Sequence, residues 1–313
     1  MTSIPLAAIS AWRPQAPLQR LQFDWLTGVE LAVLRLDLID PLISGNKWFK
    51  LAPHLRDAAE QRASGIISLG GAHSNHLHAL AAAGQRFSFA TVGLLRGHPQ
   101  DTPTVQDQQR FGMQLHWLGY GGYRERHRAD FWAQWLALHP GFMPAPEGGG
   151  GLPGALGCAD LPAMVAGQLA TLGWDDYHDW WLAAGTGTTL AGLVIAEEGR
   201  RSVHGALAVP LDHGVPEQVR ALLAEAGRDD GGYRLLEACR GGFARQDAEL
   251  LAFMDGCEAQ SGLPLEPLYT AKALLALRDA INRGEIEAGR RLIFVHTGGL
   301  QGRCAALGKG SAR

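Results

Sequence analysis

The chain has 313 residues, 46% of them hydrophobic and 19% charged, with 28 Lys and Arg against 31 Asp and Glu for a net charge of −3. That length allows a large core in two lobes. The balance of charge lacks the concentrated basic surface that a nucleic acid or an anionic membrane requires.

The first apolar piece, from Ile4 to Ile9, has no basic residue before it. It is too short for a signal or spanning segment, and no later run reaches bilayer length, so a soluble cytoplasmic protein is expected. Next comes Ser44-Gly45-Asn46-Lys47-Trp48-Phe49-Lys50, which sets Lys47 where the backbone turns instead of on a polar helix face. A strand is predicted at 66–69, followed by Gly70-Gly71-Ala72-His73-Ser74-Asn75-His76 and a helix over 74–84. Strands at 89–95 and 114–118 flank a helix at 104–111, and a Gly/Pro-rich segment at 147–157 closes the series. A second series then begins, with strands at 180–184, 203–209, 233–237 and 291–296 and helices at 189–198, 216–226, 244–260 and 271–282. Val/Ile/Leu-rich strands alternating with helices predict an α/β protein of two lobes, each a mostly parallel sheet covered by helices. Ligands in such sheets bind outside the carboxyl ends of strands, where these motifs fall.

An amine and a hydroxyl/amide cluster at strand-to-helix corners suggest a carbonyl-bearing cofactor held as an imine. After the strand at 180–184 runs Gly185-Thr186-Gly187-Thr188-Thr189-Leu190-Ala191-Gly192. Glycines, threonine hydroxyls and successive N–H groups at a helix start can cradle an anion. With no Lys or Arg the cradle suits a phosphate monoester. It lacks the Gly-Lys-Ser/Thr of a triphosphate loop, and Leu190 stands where a dinucleotide fingerprint needs its third glycine. Taken alone it leaves open an anion site or a mere tight turn. In Pro267-Leu268-Tyr269-Thr270-Ala271-Lys272 the Tyr269 phenol can serve as acid/base or orient a carboxylate. In His296-Thr297-Gly298-Gly299 the Thr297 hydroxyl can meet a heterocyclic nitrogen at a strand end.

Lys47 by itself is an ordinary surface lysine, and Ser74 is a helix N-cap as much as a proton relay. His73, His76 and His78 have no acid or cysteine at ligand spacing, so pocket lining or helix capping is expected and no metal. Trp180 and Trp181 are expected in core and lobe-interface packing. Cys158, Cys239, Cys257 and Cys304 form no C-x-x-C pair and are expected to be reduced, inert buried thiols.

The ordered set Ser-Gly-Asn-Lys, Gly-Gly-x-x-Ser-Asn-His, Glu-Gly-Gly, Gly-Thr-Gly-Thr-Thr-x-Ala-Gly, Leu-Tyr-Thr-x-Lys and His-Thr-Gly-Gly resembles the D-cysteine desulfhydrase and aminocyclopropane-carboxylate deaminase family. That family belongs to the tryptophan synthase β-like (fold type II) enzymes that use pyridoxal 5′-phosphate. The resemblance covers about 18–302. It implies the cofactor in the cleft between lobes, a larger cofactor-binding domain of 1–50 plus 147–313, a smaller inserted domain of 51–146, and a homodimer. By the same resemblance Lys47 carries the cofactor and shuttles a proton, Ser74 is a proton relay, and Asn75 contacts the ring hydroxyl. Lys50 with Gly185, Thr186, Gly187, Thr188 and Thr189 matches phosphate-binding positions, and Tyr269 the active-site tyrosine.

Thr270 and Thr297 stand where the deaminases have a glutamate and a leucine, as in the desulfhydrases. With no negative charge near it, a ring nitrogen facing neutral hydroxyls is not held protonated. The less electron-poor ring suits loss of an α-proton and a thiolate better than opening a cyclopropane. The resemblance therefore implies α,β-elimination on a small amino acid, most like D-cysteine to pyruvate, sulfide and ammonia. The alternatives are aminocyclopropane-carboxylate deamination to 2-oxobutyrate and ammonia, or a non-catalytic carrier. Phe243 falls where the family has a second tyrosine, and His73 where glutamine or tyrosine is frequent, so the substrate stays open.

Overall fold

The computed structural model describes residues 3–242, 244–303 and 307. Among these, ten strands occur: β1 (Leu18–Leu21), β2 (Glu30–Arg35), β3 (Gly65–Gly70), β4 (Ala90–Leu95), β5 (Gln114–Trp117), β6 (Phe142–Pro144), β7 (Asp179–Ala184), β8 (Ser202–Leu207), β9 (Tyr233–Glu237) and β10 (Arg291–His296). The chain divides into two compact units, one of Met1–Pro14 and Lys47–Gly154, the other of Gln15–Asn46 and Ala155–Arg313.

The first unit holds a four-stranded sheet in the order β5-β4-β3-β6, parallel throughout. Every residue of β3 is buried, as expected of a central strand covered on both faces. The following helix, Asn75–Phe87, starts where Ser74 Oγ accepts the Leu77 N–H at 3.1 Å and ends at left-handed Ser88. Met1–Pro14, placed in the larger lobe by the sequence reading, groups with this unit. Ile4 N–H donates to Ala63 O at 3.0 Å, and the Trp12 ring lies 4.2 Å from Trp48 and 5.7 Å from Phe87 between centroids.

The second unit holds a six-stranded sheet in the order β1-β2-β10-β7-β8-β9, parallel except for the β1–β2 pair. The last strand in sequence lies inside the sheet, between β2 and β7, so its carboxyl end is central. Trp180 and Trp181 are fully buried, donating their indole N–H groups to Glu197 Oε1 and Ala273 O, each at 2.7 Å.

The structure adds elements that the sequence reading left out. These include β1 and β2, the three-residue β6, the short helices Leu6–Ala11, Gly119–Arg124, Phe131–Leu138, Gly151–Gly157 and Leu161–Ala166, and a helix Lys47–Glu60 that contains Pro53. The helix expected from 244 starts at Ala248 instead, because Asp247 Oδ1 caps it by accepting Leu250 N–H at 2.9 Å, while Arg240 and Ala244 have positive φ. Cys158 and Cys257 are buried, but Cys239 is only half-buried, because it lines a cavity of about 510 Å³ with Lys272, Asp247 and Asp279. Phe243 and Cys304 lie outside the described residues. Among the described residues no helix is long and apolar enough to cross a membrane.

Candidate active site

In the first unit Lys47 is half-buried and opens the helix Lys47–Glu60, two residues after Gly45, whose φ is +79°. One turn on, Lys50 is 2% exposed. Gly149 (φ +66°) lies so close that a Cβ there would meet Lys50 Cβ at 3.1 Å, which brings the Glu-Gly-Gly motif onto this lysine. Glu147 of that motif accepts the Tyr123 hydroxyl at 2.6 Å and Arg126 Nε at 3.1 Å.

His76 is buried, with Nε2 2.7 Å from Ser68 Oγ. Ser68 donates its own proton to Ala145 O at 2.8 Å, so the imidazole donates from Nε2 and Nδ1 is bare, with no hydrogen-bond partner among the described residues. Burial holds His76 well below the usual histidine range, reinforced by the charges of Lys50, Lys47 and His54. His78 is buried with Nε2 3.2 Å from Asp107 Oδ2, and His73 is exposed. Among the described residues no three His, Cys, Asp or Glu side chains are placed to hold a metal. Ser74 is the N-cap, and Asn75, half-buried, is the first helical residue.

In the second unit the strand β7 runs into Gly185 and then the helix Thr188–Glu197. Gly187 (φ +74°) is the N-cap of that helix and, as a glycine, has no side chain to cap its first N–H groups. Those donors are available to an anion. Thr188 and Thr189 are buried, and Thr186 Oγ1 is 3.0 Å from Thr188 Oγ1. A Cβ on Gly185 would come within 3.1 Å of the Tyr269 ring, so the half-buried tyrosine lies against the cradle.

Asn46 ties three parts of this unit together. Its backbone N–H donates to Thr297 O at 3.2 Å, its Nδ2 donates to Thr189 Oγ1 at 2.9 Å, and its buried Oδ1 has no partner among the described residues. Thr297, half-buried, follows the end of β10. The segments carrying Asn46 and Thr297 touch backbone to backbone, since a Cβ on Gly45 would fall 2.2 Å from Thr297 O.

Thr270 is fully buried, and its hydroxyl accepts Glu266 N–H at 3.0 Å and lies 3.2 Å from Glu266 O and Oε1. Sequence reasoning missed Glu266. Its buried carboxyl accepts the N–H groups of Leu268, Tyr269 and Thr270 at 2.8, 2.9 and 2.6 Å, capping the helix Thr270–Asn282. Burial pushes this carboxyl above the ordinary range, while its donors pull it back. An acid just before a helix start was the available signal. Beside the expectation of no negative charge near the ring nitrogen, the Thr270 hydroxyl has a carboxyl group next to it.

These features match the demands of a phosphorylated aldehyde. The helix start after Gly187, with its threonine hydroxyls, offers donors to a phosphate, and Asn46 Nδ2 holds Thr189 Oγ1 in place there. The peptide that carries Asn46 continues into Lys47, an amine.

The family model described as pyridoxal-phosphate dependent enzyme matches residues 9–298. The chain belongs to that family: it is a pyridoxal-phosphate dependent enzyme of two α/β lobes. The D-cysteine desulfhydrase of Salmonella choleraesuis is 28% identical, over 96% of this chain and 95% of that protein. The mitochondrial bifunctional D-cysteine desulfhydrase/1-aminocyclopropane-1-carboxylate deaminase of Arabidopsis thaliana is 26% identical, over 96% and 80%. A solved structure described as an ACC deaminase homologue superposes with a TM-score of 0.78 at 23% identity, covering 97% of this chain and 99% of that one.

Proposed function

We propose that this enzyme removes the α-proton and the β-substituent from a small amino acid, with D-cysteine as the best substrate, acting in the cytoplasm as a homodimer. The observation that carries the cofactor assignment is Asn46, which joins the threonine cradle, the end of β10 and the peptide leading to Lys47. Pyridoxal phosphate, when bound, supplies an electron-withdrawing ring that lowers the cost of charge at the substrate's α-carbon.

Lys47 Nζ would hold the cofactor's aldehyde carbon and would take the substrate's α-proton. Ser74 and the Tyr269 phenol assist that proton, the second also orienting the carboxylate. Gly185, Thr186, Gly187, Thr188 and Thr189, with Lys50, would bind the phosphate; Asn75 would hold the ring hydroxyl and Thr297 would serve the ring nitrogen, whereas the hydroxyl of Thr270 is committed to Glu266. D-Cysteine and water give pyruvate, sulfide and ammonia. The hydroxyl of Thr297 supports elimination of a good leaving group over ring opening.

Glu266 favours a second reading. A carboxyl group 3.2 Å from the Thr270 hydroxyl would, when ionised, supply the negative charge that a protonated ring nitrogen wants, which suits aminocyclopropane-carboxylate ring opening.

An absorption spectrum followed by assays with D-cysteine, L-cysteine, D-serine and aminocyclopropane carboxylate tests both. Sulfide and pyruvate from D-cysteine support the first reading. 2-Oxobutyrate from aminocyclopropane carboxylate with no sulfide from D-cysteine supports the second. If Lys47→Ala protein keeps the visible imine band, the assignment of Lys47 fails.

A further inference from the structure

We propose that His296 is a positioning residue whose Nδ1 holds the turn at Thr297 and Gly298 when bare and gives that turn up for Asp37 when it carries a proton.

His296 is the last residue of β10 and is fully buried. Its Nε2 lies 2.7 Å from Pro264 O; a carbonyl only accepts, so Nε2 carries a proton. Nδ1 then faces two neighbours with opposite demands. The Gly298 N–H, a donor, is 3.3 Å away, and Asp37 Oδ1, an acceptor, is also 3.3 Å away. A ring nitrogen accepts or donates, never both. Asp37 is itself fixed from the far side, since Arg35 donates from Nε to Oδ1 at 2.9 Å and from Nη2 to Oδ2 at 2.7 Å, with Arg35 Nη1 on Gln19 at 2.9 Å. Asp37 and Arg35 are the charged groups that bear on His296. Burial holds the imidazole below its usual range, against the pull of Asp37, so the bare state prevails near neutrality.

The consequence reaches the segment before Lys47. A Cβ on Gly298 would lie 2.7 Å from Gly45 Cα, so the two backbones cannot move independently. Ser44 Oγ donates to Asp37 O at 3.1 Å and Gly45 N–H to Leu36 O at 2.8 Å, which anchors the same segment to Asp37's own turn. Releasing Gly298 therefore disturbs Thr297 and Asn46, the residues that the proposed function sets around the cofactor. The consequence for the cofactor rests on that reading, whereas the choice at Nδ1 does not.

Two measurements on cofactor-free protein decide the geometry: ¹⁵N spectra of the histidine rings, and amide exchange at Gly298, both from pH 8 to 5.5. The expected result is a bare Nδ1 at pH 8. As that nitrogen takes its proton, protection of Gly298 should fall about tenfold beyond the intrinsic pH effect, while Phe294 within β10 keeps its protection. A protonated Nδ1 at pH 8, or Gly298 protection unchanged through the titration, overturns the proposal; neither needs a variant to fold. Pyridoxal phosphate affinity is then measured over the same range. One linked proton weakens it by up to about tenfold per pH unit. His296→Asn, which sets a non-titrating amide near Nδ1, should flatten that profile. His296→Gln, which keeps a donor toward Pro264 O but loses the acceptor, should bind weakly throughout. A wild-type profile in His296→Asn counts against the proposal. Failure to take up pyridoxal phosphate at any pH sinks the proposed function and leaves the spectra and exchange to decide His296.

Discussion

Gly45→Ala is the most direct perturbation of the segment before Lys47. Gly45 has φ +79°, and an added Cβ would sit 2.2 Å from Thr297 O and 2.8 Å from Gly298 Cα. Both are backbone atoms, so no rotamer change relieves the clash. The left-handed conformation alone costs a non-glycine residue about 1–2 kcal/mol. Opening the contact by the ångström or so it needs strains the bonds from Gly45 N to Leu36 O and from Asn46 N to Thr297 O, now 2.8 and 3.2 Å. Each is worth about 1 kcal/mol. The sum is a destabilisation of about 3–4 kcal/mol. Urea unfolding followed by both far-ultraviolet circular dichroism and tryptophan fluorescence measures it, with coincident transitions as the condition for a free energy. Gly256→Ala is the control. It lies within the helix Ala248–Ser261, where a Cβ would meet nothing within 4 Å, and should stabilise by about 0.5–1 kcal/mol. If Gly45→Ala costs less than Gly256→Ala gains, the close approach to Thr297 is not as described.

Glu266→Ala leaves the N–H groups of Leu268, Tyr269 and Thr270 without their acceptor in a buried place. It should cost about 2–4 kcal/mol in the same unfolding assay, and a loss under 1 kcal/mol would dismiss the cap. Acid should destabilise the fold through its histidines. His54, His76, His78 and His296 all sit below the ordinary value of 6.5, with burial the largest cause. The unfolded chain therefore binds more protons, and stability is lost as pH falls below about 6.5. Thermal midpoints that stay flat from pH 7.5 to 5.5 would contradict those burial effects.

The strands of the central sheets were legible because their signal is local. β10 and β9 appear at their predicted bounds, and β3, β4, β5, β7 and β8 within a residue or two. β1 and β6 are edge strands of four and three residues, too short to show a period. The helix Lys47–Glu60 was hidden by Pro53 and by the turn signal ahead of it. At the site, Lys47 was visible as an amine at a turn, and the threonine cradle and Thr297 as residue types at strand ends. Glu266 was not weighed, because a glutamate before proline reads as surface until burial gives it donors. The bare Nδ1 atoms of His76 and His296 were equally out of reach, since a hydrogen-bond partner far along the chain decides each.

The sequence by itself determined the α/β class, the order of the motifs and the chemistry they offer, because periodicity and residue type are properties of neighbours along the chain. Only the tertiary structure decided that β10 lies between β2 and β7, that Thr297 O meets the Asn46 N–H, and that Thr270 turns its hydroxyl to Glu266. Those facts depend on residues distant in sequence reaching hydrogen-bond range, and on burial, which sets what each polar group must find as a partner.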